Sequence, residues 1–308
     1  MESSPLRLAG YQGSASILTA AMQVLGERLQ RGGWDTPIDF EPDVTARGET
    51  AAALFDSVEQ GRRQLGYMAS GYLSARVPEL GVLDLPFSVS DRAAALAALD
   101  GEAGALLRQA VRERTGFEVL AFWDNGFRHI SNAVRPIRSP ADCKGLVIRT
   151  LDSAQYRAAL SALGFTAVTT DVKDLVRVVE TGEVHAQENP LTNLLTFSLW
   201  KHHPYVSLSQ HFFGVLLLVC PRAWHEGLGA AQQAQLQEAM AAATASQRAS
   251  ARAQDDVALT KLAGHGVQVL PPGQIDLPAM RQATAALAQQ LLQGLPPGLV
   301  RAYLPAPA

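Results

Sequence analysis

The segment GLVIRT (residues 145–150) is a short apolar run that leads directly into Arg149. The pattern predicts a buried strand that ends close to this arginine. A guanidinium cannot neutralise itself by losing a proton, and burying it alone costs several kcal/mol or more. Arg149 therefore meets either an anion of the protein or an anion that arrives from solution.

Strand and helix patterns alternate on both sides of this segment. Apolar helical spacing follows it in DSAQYRAALSALG (152–164), and a strand pattern returns in EVHAQEN (183–189). The same alternation precedes it, where FEVLAFW (117–123) predicts a strand that ends at Trp123. The stretch YVSLSQHFFGVLLLVC (205–220) predicts two strands broken near Gly214. Regular alternation of this kind is typical of a layered α/β architecture.

One segment departs from this rhythm. Residues 229–263 are rich in Ala, Gln and Arg and contain no internal proline. Apart from its first residue, the segment also lacks glycine, so it predicts a single helix of roughly 50 Å. A helix of this length is either a surface helix with a thin apolar stripe or a strut that lies across two domains.

Composition limits the class of protein. The chain has 308 residues, which is enough for two domains, and its net charge is −3 with no basic stripe, so nucleic acid is not an expected partner. The N-terminus shows no signal-peptide pattern, which fits either a cytoplasmic protein or a sequence that begins after a cleavage site. Cys143 and Cys220 lack metal-binding spacing, and we expect buried free thiols.

Enzyme motifs are missing from the sequence. The sequence contains no glycine motif for binding a dinucleotide or a phosphate, and it contains neither GxSxG nor HExxH. His202 and His203 are adjacent, which is unsuitable for shared metal binding and predicts a pair at a helix C-terminus. For His211, a hydrogen-bonding role in the core and a position lining a cleft both remain open. We predict no catalytic residue, no metal and no cofactor.

Polar residues cluster where strands are predicted to end. WDNGFR (123–128) follows one strand, Arg149 ends another, and QENP (187–190) follows a third. In open α/β sheets ligands bind beyond such strand ends. Two arginines and an amide suit the binding of a carboxylate, because the planar guanidinium donates two parallel hydrogen bonds. Alternatively, Arg128 and Arg149 pair with Asp124, Asp152 or Glu188 and only join strands.

The order of several motifs resembles that of a known family. These are PELGVLDLPF (78–87), LDGEAG (99–104), NGFRHISNAVRPIRSPADCKGLVIRT (125–150), ALGF (162–165) and AQENPLTN (186–193). They resemble the solute-binding proteins of tripartite ATP-independent periplasmic (TRAP) transporters, in the C4-dicarboxylate-type branch, over about residues 5–270. The resemblance implies a class II type bilobal periplasmic-binding-protein-like α/β fold, with two α/β lobes around a cleft and a long helix bracing both. It places residues 1–124 plus about 213–252 in lobe I, and 125–212 plus about 253–308 in lobe II.

The resemblance also implies roles for individual residues. Arg149 corresponds to the arginine that grips the ligand carboxylate, Arg128 to a supporting arginine, and Asn189 to an asparagine that reaches the same carboxylate. Five further candidate ligand-binding residues match positions that line the cleft in the family: Gln12, Met68, Ser70, Asp152 and Asp171. Two more candidates, Trp123 and His211, come from the sequence pattern alone. Ala69 is small where some relatives carry an acidic residue, which argues against sialic acid as the ligand.

Taken together, these features predict a periplasmic binding protein, expected to be a monomer, that captures a small organic acid and delivers it to TRAP membrane permease subunits. GYMASGY (66–72) carries no charge and Gln12 is neutral, so a second carboxylate would lack a partner. A monocarboxylate with an apolar or aromatic tail is therefore the expected ligand. The alternative is an enzyme on the same bilobal scaffold, with Arg149 holding a carboxylate substrate and His129, His211 or an aspartate as the base.

Overall fold

The computed structural model of the chain describes residues 4–304, and these form a mixed α/β structure around one sheet. The strands of the sheet are β1 (Leu6–Ala9), β2 (Ile38–Glu41), β3 (Leu65–Ala69), β4 (Phe117–Asn132), β5 (Val147–Thr150), β6 (Thr166–Thr169), β7 (Ala186–Pro190), β8 (Tyr205–Pro221) and β9 (Gln268–Leu270). The helices are α1 (Ile17–Arg31), α2 (Ala51–Glu59), α3 (Arg92–Asp100), α4 (Glu102–Arg114), α5 (Pro140–Cys143), α6 (Ala154–Ala162), α7 (Leu175–Glu180), α8 (Leu191–Thr196), α9 (Arg222–Glu226), α10 (Ala230–Gly264), α11 (Leu277–Gln293) and α12 (Pro297–Tyr303). None of the helices within 4–304 is long and apolar enough to cross a bilayer.

Two long antiparallel strands, β4 and β8, divide the sheet into two lobes. The strand order is β2-β1-β3-β8-β4-β7-β5-β6, and β9 pairs with the start of β8. One end of the β4–β8 pair adjoins β3, and its other end adjoins β7 and β9. We use "first lobe" for the side that contains β1–β3 and "second lobe" for the side that contains β5–β7 and β9.

The continuity of β4 and β8 corrects two expectations. A strand was expected to end at Trp123, and two strands were expected around Gly214, but each stretch is a single strand of 16 or 17 residues. Pairing continues through a register shift between Asp124 and Gly126, where Gly126 has φ +78°. Gly214 lies opposite, and a Cβ there would be 3.1 Å from the Gly126 carbonyl oxygen. The glycines therefore permit a close crossing in place of a break.

Helix α10 braces both lobes, as the resemblance implies. It is one helix of 35 residues, about 52 Å long, that packs against α1 near one end, β4 near its middle, and α8 and β9 near the other end. Gln247 on this helix is fully buried. Its Nε2 donates to the Asp124 carbonyl oxygen at 2.6 Å, and its Oε1 accepts from Asp124 N at 2.9 Å. The helix is thus fixed to β4 at the point where β4 passes between the lobes.

Buried apolar side chains form four clusters. The largest contains the core of the first lobe and extends to Leu151, Tyr156 and Ala159 beyond β5, and the three smaller ones lie mainly in the second lobe. Leu299 and Tyr303 of α12 belong to the first cluster, although the predicted division puts residues 253–308 in lobe II. Cys143 and Cys220 are buried free thiols, as predicted.

Gly104, in the first turn of α4, lies against the end of α3. A Cβ added there would sit 1.8 Å from the carbonyl oxygen of Leu99. Because backbone cannot move aside as a flexible side chain can, Gly104→Ala is expected to lower the free energy of unfolding by about 1–3 kcal/mol in urea denaturation. Gly264→Ala is the control, since nothing lies within 4 Å of its added Cβ, and we expect a change below about 0.5 kcal/mol. Equal losses in both variants would contradict the close approach.

Candidate functional site

Arg149 lies in β5 and is 2% exposed. Its Nε and Nη2 both donate to the carbonyl oxygen of Thr170, whereas Nη1 takes no part in these bonds. Within residues 4–304, no carboxylate lies within 4.0 Å of this guanidinium. Burial lowers the pKa of Arg149, because leaving water disfavours its charged form. Arg149 is therefore a buried cation for which the described part of the protein supplies no carboxylate.

Arg128, in contrast, has a protein carboxylate as its partner. It lies in β4 and forms a fork with Glu188 of β7, in which Nε bonds Oε2 and Nη2 bonds Oε1 at 2.8 Å. Nη2 also donates to the Glu188 carbonyl oxygen at 2.9 Å. Arg128 therefore has the pairing with Glu188 that the alternative described, while its contribution to ligand binding stays a prediction. Arg149 has no such pairing within residues 4–304.

Glu188 is the centre of a buried polar network. Besides Arg128, its carboxylate accepts a hydrogen bond from Thr150 Oγ1 at 2.7 Å and lies 3.5 Å from His211 Nε2. Burial opposes ionisation of Glu188, but the charge and hydrogen bonds of Arg128 outweigh burial and lower its pKa to about 2. Burial also lowers the pKa of His211. Because His211 is neutral, the charges of Arg128 and Glu188 cancel each other, and the positive charge of Arg149 remains.

Aromatic side chains surround the two arginines. The Arg128 guanidinium lies 5.4 Å from the ring centre of Tyr156, which packs on Phe212 at 4.2 Å. On the first lobe, the rings of Tyr11 and Tyr72 lie 6.4 Å apart. Burial raises the pKa of Tyr72 to about 12, although the nearby charge of Arg149 favours its ionised form. Within residues 4–304, these neighbours of the two arginines are aromatic rings, three of them with hydroxyl groups, and none is a further cation.

Asn189 lies in β7 beside this network, and its amide is already engaged. Its Nδ2 donates to Gln187 Oε1 at 2.6 Å, and its Oδ1 accepts from Asn193 Nδ2 at 3.1 Å and from Arg128 Nη2 at 3.4 Å. The structure therefore brings Arg128, Asn189 and His211 together around Glu188. His211 bonds Ser209 Oγ at 2.8 Å, which decides for the buried hydrogen-bonding role.

Other predicted site residues do not take part in the buried polar network. Met68 is fully buried in the apolar cluster of the first lobe, and Trp123 donates from Nε1 to Thr244 of α10 at 3.0 Å. Met68 and Trp123 are thus core residues, and their predicted place in the cleft is wrong. Adjacent residues of a strand face opposite sides of the sheet, so a strand that reaches the cleft also carries side chains that point into the core. Asp152 is exposed and lines a groove of about 550 Å³ between α6 and α11. His202 and His203 lie at the C-terminus of a 3-10 helix (Leu199–Lys201), as predicted: His202 is its C-cap, and the His203 N–H donates to the Leu199 carbonyl oxygen at 2.9 Å.

The first-lobe candidates Gln12 and Ser70 are buried and bonded inside the protein. Gln12 Oε1 accepts from Ser16 Oγ at 2.7 Å. Ser70 Oγ donates to Asp84 Oδ1 at 2.9 Å, and burial raises the pKa of Asp84 to about 7. Sequence analysis did not single out Asp84. The signal available was its position as the one charged residue in the apolar run GVLDLPF (81–87).

Asp171 has an unexpected set of contacts. It follows β6, and its Oδ2 accepts a hydrogen bond at 3.1 Å from the backbone N–H of Ala51, the first residue of α2 in the first lobe. Its Oδ1 accepts from Lys173 N at 2.9 Å. Asp171 thus connects the lobes. Tyr11, Tyr156 and Thr150 also belong to the site, and the sequence analysis did not identify them.

The fold and this buried cluster define a bilobal binding protein with its polar residues gathered between two lobes. The chain belongs to the DctP family, whose description is "bacterial extracellular solute-binding protein, family 7" and whose model matches residues 40–294. The resemblance to TRAP solute-binding proteins is thereby confirmed. The family and the structural relatives are transport proteins, so the alternative of an enzyme is not supported.

Two relatives and one solved structure illustrate the similarity. The chain is 33% identical over 229 residues to an uncharacterized protein of Haemophilus influenzae, covering 74% of this chain and 69% of that protein. It is 32% identical over 187 residues to the 2,3-diketo-L-gulonate-binding periplasmic protein YiaO of Escherichia coli, covering 61% and 56%. The chain thus spans between about half and two thirds of the length of these relatives.

The solved structure is a TRAP periplasmic solute-binding protein from Ralstonia eutropha with bound (S)-2-acetolactate. It is 25% identical to this chain, covers 98% of both chains and superposes with a TM-score of 0.90. A superposition of this extent confirms the bilobal fold.

Proposed function

We propose that this protein is the extracytoplasmic solute-binding component of a TRAP transporter and that it captures a small monocarboxylic acid. The observation that carries the proposal is Arg149, a buried guanidinium with no carboxylate within 4.0 Å in residues 4–304. A buried cation of this kind is stabilised when a carboxylate arrives, because the fork donates charge-assisted hydrogen bonds. By analogy with its family, the protein would work in the periplasm, as a monomer, and deliver the acid to membrane permease subunits.

The charges around the site support one carboxylate in preference to two. Arg128 is neutralised by Glu188, which leaves the single charge of Arg149. The surrounding rings of Tyr11, Tyr72 and Tyr156 offer apolar faces and hydroxyl groups. A second carboxylate would be desolvated without a cationic partner, at a cost of several kcal/mol.

The Arg128–Glu188 pair changes the proposed role of Arg128. Two of its nitrogens are bound to Glu188, so it cannot offer its whole fork to a ligand. We assign the carboxylate grip to Arg149, with Arg128 and Asn189 completing the polar wall. The three are held by neighbouring strands, since β4 pairs with β7 and β7 with β5. Strand pairing fixes their relative positions before any acid binds, which limits the ordering cost of binding.

A thermal-shift panel tests the ligand class. The acids are (S)-2-acetolactate, lactate-like acids, branched 2-oxo acids, aryl 2-hydroxy acids, succinate, malate and sialic acid. A monocarboxylate at 100 times its Kd should stabilise the protein by about 2.7 kcal/mol and raise Tm by on the order of 5 °C. The methyl ester of the best acid is the control and should give no shift, because it lacks the anionic group. A shift with malate or succinate and with none of the monocarboxylates would contradict the proposal.

A further inference from the structure

A contact between the lobes runs through Asp171, which lies between β6 and a 3-10 helix (Val172–Asp174) of the second lobe. Its carboxylate spans 120 positions of sequence to reach the Ala51 N–H of the first lobe. Beside it, the 3-10 helix Val172–Asp174 packs against a 3-10 helix (Val44–Arg47) of the first lobe. A hydrogen bond and a packing contact therefore join the lobes at the same place.

The donor on the first lobe, the Ala51 N–H, is well placed for a carboxylate. The first N–H groups of a helix have no partner within the helix, and they carry a partial positive charge. In α2, Thr50 Oγ1 accepts from Ala53 N at 3.1 Å, and Asp171 of the other lobe accepts from Ala51 N. Separating the lobes would leave the Ala51 N–H to water.

The same segment is tied to Arg149. The Arg149 guanidinium donates from Nε and Nη2 to the carbonyl oxygen of Thr170, the residue directly before Asp171. Thr170 N donates in turn to the Thr150 carbonyl oxygen at 3.1 Å. The orientation of Asp171 therefore depends on the guanidinium that the proposed function assigns to the ligand.

We propose that Asp171 is a positioning residue that couples binding of the acid at Arg149 to closure of the two lobes. This inference rests on the proposed function. The bound carboxylate holds Arg149, Arg149 holds the Thr170 carbonyl, and Asp171 then caps α2 across the cleft. A ligand shifts a conformational equilibrium only through contacts that differ between the two states. The Asp171–Ala51 contact exists only when the lobes meet, so it stabilises the closed state. A more stable closed state slows release of the acid, although Asp171 does not contact the acid.

The test compares Asp171→Asn with Asp152→Asn. Asparagine at 171 can still accept from Lys173 N, but its amide group would face the Ala51 N–H as a second donor. Asp152 is an exposed acid near the same cleft, so its variant is a matched control for the loss of one negative charge. In the protein saturated with (S)-2-acetolactate, NMR amide exchange at Ala51 should be at least about fivefold faster in Asp171→Asn and unchanged in Asp152→Asn. Equal exchange rates would overturn the contact.

The coupling is measured by stopped-flow release of (S)-2-acetolactate. In Asp171→Asn the dissociation rate constant should rise by about 5–20-fold, within the usual range of coupling between sites. The association rate constant and the unfolding midpoint of the ligand-free chain should stay at the wild-type values, which separates positioning from a purely structural role. A dissociation rate equal to wild type would overturn the coupling. If the wild-type chain binds no acid of the panel, the proposed function fails and the coupling with it, whereas binding with an unchanged dissociation rate constant overturns the coupling alone.

Discussion

Replacing Arg149 with alanine is expected to weaken binding of the acid by about 2–5 kcal/mol, the usual loss when one partner of a buried charge pair is truncated. The ligand carboxylate would then be buried without its guanidinium, which is the larger part of this loss. Arg149→Lys should also lose most of the affinity, because a compact ammonium cannot reproduce the parallel hydrogen bonds of the fork. Isothermal titration with the best acid of the panel measures both variants.

The ligand-free protein should respond differently to the same change. No carboxylate of residues 4–304 lies within 4.0 Å of the buried Arg149, so its charge destabilises the empty site, and its bonds to Thr170 and the more distant charges of Glu188 and Asp171 offset part of this. We expect Arg149→Ala to fold with a Tm close to that of wild type. Arg157→Ala, on the exposed face of α6, is the control and should bind normally. An Arg149→Ala variant that binds within threefold of wild type would refute the assignment, and one that fails to fold would favour a purely structural arginine.

Breaking the Arg128–Glu188 pair should have the largest effect on stability. Both side chains are almost completely buried, at 3% and 0% exposed. Glu188→Gln leaves Arg128 charged and unpaired near a second buried arginine, so we expect a loss of about 3–5 kcal/mol in the free energy of unfolding. Denaturant unfolding of the ligand-free chain measures it.

A double variant separates the charge from the packing. Arg128→Met combined with Glu188→Leu removes both charges, and it should recover much of the stability lost in either single variant. Glu27→Gln breaks an exposed pair with Arg31 and should cost less than about 1 kcal/mol. Additive losses in the double variant would show that the two residues stabilise the protein independently.

The pH dependence of stability follows from the same pair. The pKa of Glu188 is about 2 in the folded protein, below its ordinary value of 4.5. The folded state therefore binds fewer protons than the unfolded state, and the contribution of the pair is fully present above about pH 4.5. It is lost as the pH falls from 4.5 through 2. Glu188→Gln should flatten this part of the profile.

Much of the site was predictable because single residues carried it. An arginine at the end of an apolar strand needs an anion whatever the surroundings, and the motifs around Arg128, Arg149 and Asn189 identified the family. The sequence could not show which arginine has its anion inside the protein. Arg128 and Glu188 are 60 residues apart, and they meet because Arg128 pairs with Pro190 in the β4–β7 register.

Local patterns were less reliable where two strands pair over a long distance. Turn-forming residues such as Asp124, Asn125 and Gly126 predict a strand end. Continuous pairing with β8 overrides this preference by absorbing the extra residue as a bulge. The aspartates Asp152 and Asp171 were equally plausible cleft residues in the sequence, yet one faces solvent and the other caps α2.

The sequence by itself determined the alternation of strands and helices, the single long helix, the family and the requirement of Arg149 for an anion. These depend on side-chain periodicity and on the chemistry of one residue, which act over a few positions of chain. Only the tertiary structure decided that Arg128 is neutralised by Glu188, that Met68 and Trp123 lie in the core, and that Asp171 bridges the lobes. Those outcomes depend on strand register and lobe packing, which bring together groups 60 to 120 residues apart, and a difference of one residue in register would reverse which face each side chain occupies.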